Sequence, residues 1–234
     1  MKNLLLLLVI LCSTCFTIQA QKKSKGKDKD KKEDKVNFTP EVPIPVADTS
    51  KKFTGVIKYR MTSDDPSDRD SVFIVFGETS IRVIMFIPGY MANQVFERSM
   101  IANFKDSTFL QLETKNKTYK TEKLSIRNEG TEFSLVPDKK TMQILNFTCP
   151  EYKGEMKTKD GEVSEAACLI SNQHSFIAAM DYNFLGIQPI ILGYKIVLGF
   201  RTKSAENENT YIMAYKIEPG NVDSYFDLSG YKAL

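Results

Sequence analysis

The chain has 234 residues, a formal net charge of +3, 42% hydrophobic residues, four Cys, one His and no Trp. Its positive charge is local: Lys2 and the eight lysines from Lys22 to Lys35 supply it, and from Asn37 onward 25 acids face 23 bases. A folded part with no surplus of Lys and Arg argues against a nucleic-acid surface.

Residues 1–20 read as a secretion leader, with Lys2 as the positive start, Leu4 to Leu11 as the apolar core and a cut between Ala20 and Gln21. That apolar run is too short to span a bilayer. The alternative is a lipoprotein leader acylated at Cys12 or Cys15, although Leu11 and Thr14 are not the small residues such processing prefers before the Cys. Residues 21–50 form a linker. Its first part is lysine-rich and lacks the apolar surface needed to offset backbone entropy, and Pro40, Pro43 and Pro45 stiffen the second part. A single domain is expected over 51–234.

From Phe53 the pattern changes to alternation. Phe53, Ile57, Tyr59 and Met61 share one side of a strand, and Ser71 to Phe76 and Ser80 to Ile87 form the next hairpin about Gly77-Glu78-Thr79. Gln94 to Phe104, Thr108 to Glu113 and Thr118 to Leu124 follow, joined by Lys105-Asp106-Ser107 and Lys115-Asn116-Lys117, connections short enough to force antiparallel neighbours. Thr131 to Val136 and a long extended stretch from Met142 to Met156 lead, through an Asp160-Gly161 turn, into Ala166 to Ser171. Ser175 to Phe184 fits one side of a short helix. Ile190 to Arg201, with Tyr194, Ile196, Leu198 and Phe200 on one face, and Tyr211 to Ile217 complete the strands. Val222 to Leu228 closes the domain, with Tyr225 and Phe226 as anchors. The fold class is mainly β with short helices, built on an antiparallel sheet.

Chemistry is sparse. Past the leader only Cys149 and Cys168 remain, an even pair that reads as a disulfide in an oxidising compartment, worth about 3 kcal/mol, or else as two buried thiols. His174 has Ser175 beside it, but adjacency is not a triad and no G-x-S-x-G elbow exists. One His and two Cys are too few for a zinc site, and no phosphate-cradling Gly loop appears. No enzymatic activity, metal or cofactor is expected.

Four stretches carry a resemblance: F-T-G-V-I-K-Y at Phe53 to Tyr59, I-L-N-F-T-C-P-E-Y at Ile144 to Tyr152, G-I-Q-P at Gly186 to Pro189, and V-D-S-Y-F-D-L-S-G-Y-K at Val222 to Lys232. Over residues 50–232 the chain resembles exported proteins of Bacteroidota whose domain is similar to the LolA/LolB lipoprotein carriers. Those relatives show I-L-G-Y before the Cys where this chain has Ile144-Leu145-Asn146-Phe147, a departure expected at a local bend. The resemblance implies a LolA-like half-barrel of roughly ten strands, curved around short helices that cover its concave side. It implies a periplasmic or outer-membrane-associated protein that holds a lipid, acylated or other apolar ligand. Ile81, Val83, Met85, Leu110 and Leu112 are the expected lining residues. The alternative is an envelope structural or protein-interaction module with no small-molecule ligand.

Overall fold

The computed structural model describes residues 49–63, 70–88, 95–124, 131–158, 160–176, 191–192, 194–203 and 209–234. The leader with its Ala20–Gln21 cut, Cys12 and Cys15, the lysine-rich stretch, most of the polar cluster after Ser63, Gly186 to Pro189, and all but the first two residues of the expected Ser175–Phe184 helix lie outside these residues.

Among the described residues thirteen strands form one sheet. They are β1 (Gly55–Ser63), β2 (Ser71–Phe76), β3 (Ser80–Pro88), β4 (Val95–Asn103), β5 (Thr108–Glu113), β6 (Thr118–Lys123), β7 (Thr131–Ile144), β8 (Phe147–Thr158), β9 (Val163–Ser175), β10 (Ile191–Leu192), β11 (Lys195–Lys203), β12 (Asn209–Pro219) and β13 (Lys232–Ala233), with a one-turn helix α1 at Asp223–Phe226. Twelve of them run in the order β13-β6-β5-β4-β3-β2-β1-β12-β11-β9-β8-β7, with β10 beside β11. The sheet is open, with β7 and β13 at its two ends. Each pairing is antiparallel except β13 on β6. The expected mainly β antiparallel architecture is therefore present, with more strands than the expected ten.

From β1 to β6 the ladder is a plain meander in which each strand pairs antiparallel with the next, and short turns join β2 to β3, β4 to β5 and β5 to β6. Residues opposite one another in an antiparallel ladder share a face, so the register sorts the side chains. One face, here the inner face, carries Ile57, Tyr59, Ile74, Phe76, Ile81, Val83 and Ala102, all buried in the main core. The other face carries Val56, Val75 and Ile84, with Phe73 and Phe86 packed alongside.

Sheets exposed on one side tend to alternate apolar and polar, and these strands do not, because a strap covers their back. The chain leaves β12 at Pro219 and lays Val222, Tyr225 and Phe226 on the outer cluster. It then turns at Leu228–Tyr231 and pairs with the edge of β6. Arg82, buried on β3, donates from Nε to Ser99 Oγ at 2.8 Å and from Nη1 to the Tyr225 carbonyl at 2.6 Å, fixing the strap to the sheet. Tyr225 and Phe226 are the anchors that the sequence suggested. Gly77 is glycine because of this strap: a Cβ there would stand 2.8 Å from the Phe226 ring.

The remaining strands are less regular. The expected single strand from Met142 to Met156 is instead two, broken by a two-residue turn at Leu145–Asn146 where Leu145 takes φ 53°. Register shifts interrupt β7–β8 between Pro137 and Thr141 and β9–β11 on both sides of Val197. The second shift splits the expected row on β11: Ile196 and Leu198 enter the main core, whereas Phe200 joins Val197 in a second core with Met156, Ala166, Cys168 and Ile170. Phe133 on β7 lies 5.9 Å, ring to ring, from Phe200 on β11. Three strand spacings would separate them by about 14 Å in a flat sheet, so this end of the sheet curls over the second core.

Candidate functional site

Of the five expected lining residues, register brings three together. Ile81 and Val83 are buried on the inner face, and Met85 continues their row, partly buried. Leu110 and Leu112 belong to the opposite face: Leu110 faces Ile101, which faces Arg82, and Leu112 faces Ser99, which faces Ile84. The residues of β5 that share the inner face are Phe109, opposite Ala102, and Gln111, opposite Met100. Reading the turn as Lys105–Ser107 opposes Phe104 to Thr108 and puts the leucines inside. In the structure the turn is one residue longer, Phe104–Ser107, so Asn103 opposes Thr108 and each later side chain changes face. A signal for this was available in Asn103, whose Oδ1 accepts from the backbone N–H groups of Lys105 (3.0 Å) and Asp106 (3.3 Å), starting the turn at that residue.

The inner face is aromatic toward the β9 end. Phe176, the residue after β9, packs against Phe76 (5.4 Å) and Phe104 (5.8 Å), and its N–H donates to the Tyr194 carbonyl at 2.8 Å. Ser175, expected to start a helix, instead ends β9. Phe53 is pinned to the same place by its N–H to the Ser175 carbonyl at 2.8 Å. Met85, Met100, Phe104 and Phe109 are only partly buried and border the closed part of this core, and Met213, also partly buried, packs against it.

His174 sits at the rim of this cluster. Its ring stacks on Phe53 (4.8 Å, 7°) and meets Phe147 edge-on (5.0 Å, 67°). Its buried Nε2 has no hydrogen-bond partner, and its backbone N–H donates to Ser171 Oγ at 3.0 Å. Among the described residues no carboxylate is seen to pair with this imidazole, which is held between two phenyl rings.

The Cys149–Cys168 disulfide is not formed; both are free, buried thiols. β8 and β9 are neighbours as expected, but Cys168 faces Tyr152, three residues from Cys149 along β8. An odd offset places the two on opposite faces, Cys149 in the main core and Cys168 in the second. Three residues are about 10 Å, beyond the reach of a bridge. Burial pushes the Cys149 thiol up to about 11 and that of Cys168 up to about 12, so both stay protonated and unreactive near neutral pH.

Among the described residues no group of three His, Cys, Asp or Glu side chains converges, and no helix is long and apolar enough to cross a membrane. No protein-family model matches this chain, and no curated protein matches it.

Proposed function

We propose that the chain is an exported binding protein of the cell envelope that holds a lipid, an acylated peptide or another apolar ligand without transforming it. One observation carries this reading: the closed part of the inner face is bordered by Met85 and Met100 with Phe104 and Phe109, and Met213 packs against the same core, all partly buried. Unbranched, polarizable methionine side chains re-pack around irregular guests, which a site for varied acyl chains requires. The finer architecture, a LolA-like half-barrel whose concave side is covered by short helices, belongs to the same proposal and draws on the four stretches of resemblance. Export rests on Lys2, the Leu4 to Leu11 run and Ala20.

Native mass spectrometry and solvent extraction of the protein purified from its own envelope test the reading. Lipid recovered in fixed ratio to protein supports it, and consistently empty protein rejects it.

A second reading, an envelope interaction scaffold with no small ligand, draws on the tight fill of the middle of the same face. Ile57, Tyr59, Phe76 and Ile81 have no exposed surface. Crosslinking and pull-down from envelopes, with and without residues 21–36, discriminate: a specific partner supports the scaffold, and none recovered removes it.

A further inference from the structure

At one end of the sheet β3 and β4 outrun their neighbours. β2 starts opposite Phe86 and β5 is paired only from Ser99 onward, yet β3 and β4 continue through Ile87 opposite Phe96 and Pro88 opposite Val95. The first four residues of β4 are all exposed, Val95 at 60% and Phe96 at 50%. By register Ile87 and Phe96 prolong the inner-face row of Ile81, Val83 and Met85, so along β3 an apolar track runs from the closed core to the open end, with Arg98 beside it on β4. Val95, one residue from Phe96, points to the opposite face. The last two pairs of the ribbon, Ile87 with Phe96 and Pro88 with Val95, are therefore apolar on the two sides.

On its β4 to β13 side the same end carries positive charge. The β5–β6 turn brings Lys115 and Lys117 beside this ribbon, and the β13 pairing sets Lys232 next to Thr118. These lysines and Arg98 are exposed, against the acids Glu97 and Glu113. Lys117 also lies 5.5 Å from the Tyr231 ring. From β4 to β13 the rim spans about 14 Å, three strand spacings.

We propose that this end of the sheet docks on an anionic lipid surface, with Ile87, Val95 and Phe96 entering the boundary between headgroups and acyl chains and Lys115, Lys117 and Lys232 meeting lipid phosphates. A protein groove covers one face of a strand pair, whereas a bilayer can take both, and here Ile87 with Phe96 and Pro88 with Val95 are apolar on the two faces. Apolar insertion and lysine attraction to anionic headgroups reinforce one another in such contacts. The proposal goes beyond the ligand reading and does not need the inner face to hold anything.

The absence of Trp from the chain makes the test local. In the full chain, Phe96→Trp reports only its own surroundings, and Leu145→Trp, at the exposed β7–β8 turn on the opposite end of the strands, serves as control. Vesicles of phosphatidylglycerol and phosphatidylcholine are expected to shift the emission of the first reporter to the blue and leave the second unchanged, with brominated acyl chains quenching the first alone. Phe96→Asp is expected to weaken vesicle binding about tenfold. The Lys115→Glu, Lys117→Glu, Lys232→Glu triple variant is expected to remove the preference over pure phosphatidylcholine. Unchanged emission at position 96 while the chain still pellets with vesicles assigns binding to another segment and overturns the proposal. Equal shifts at positions 96 and 145, or with both kinds of vesicle, overturn it as well, and no response to either leaves this end to a protein partner.

Discussion

The strands β1 to β6 and the strands β7 to β12 solve the same problem differently. In the first group, pairing runs without a register shift from β1 to β6, and each face has its own cover: the main core inside, the strap of Val222, Tyr225 and Phe226 outside. In the second group the ladder is interrupted on β7 and β11, and the strands curl until Phe133 meets Phe200. The curl lets the sheet cover its own second core. A regular ladder needs a separate segment to bury its back, and an interrupted one can bend to do so itself. The cost falls on backbone contacts, which tolerate less change than side-chain contacts.

Two glycines measure that difference. A Cβ at Gly154 on β8 would run into the backbone carbonyl of Ser134 on β7, where nothing can swing aside. Gly154→Ala is expected to destabilise the protein by about 3 kcal/mol or more, read from denaturant midpoints. Gly77→Ala is the internal comparison, because its obstacle is the Phe226 ring, a side chain able to shift. Equal losses from the two substitutions would break the distinction between the regions.

The regions are joined at Tyr59. Its fully buried hydroxyl donates to the Val197 carbonyl at 3.0 Å, from β1 across to the irregular part of β11, and burial raises the phenol far above its ordinary range, so it remains a donor. Tyr59→Phe leaves that carbonyl unpaired and is expected to lose about 1–3 kcal/mol. Faster hydrogen exchange confined to β9 and β11 would show that the bond holds the irregular half to the regular one; a uniform increase would argue against that role.

The smallest effect has the opposite sign. Leu145 holds φ 53° in the β7–β8 turn, a conformation that costs a branched side chain energy, and it is 45% exposed, so little packing is lost by replacing it. Leu145→Asn is expected to stabilise by about 0.5–1 kcal/mol, seen as a higher midpoint with an unchanged denaturant slope. A decrease would mean that Leu145 packs in a way its exposure does not reveal.

The same contrast governs what could be read from the sequence. In β1 to β3 alternation alone located the inner face, and it put Ile81, Val83 and Met85 in one row because nothing interrupts that ladder. The β5 leucines were misassigned by one residue of turn length at Phe104, since a side-chain period of two magnifies any miscount into a reversal. Phe200 was misassigned by the shift at Val197, and the proposed disulfide failed because strand adjacency was inferred without its offset. Periodicity reports which residues alternate, whereas bulges and turn lengths decide where alternation restarts, and those depend on contacts distant in the chain.

The strap has a consequence for the order of assembly. Strands β1 to β5 emerge from the ribosome long before residues 220–234, so throughout synthesis Val56, Val75 and Ile84 have nothing to lie against. A nascent chain in that condition exposes a greasy sheet to its neighbours and is prone to aggregate. Closure of the first-made strands thus waits on the arrival of Val222 and Phe226, the last segment to be synthesised.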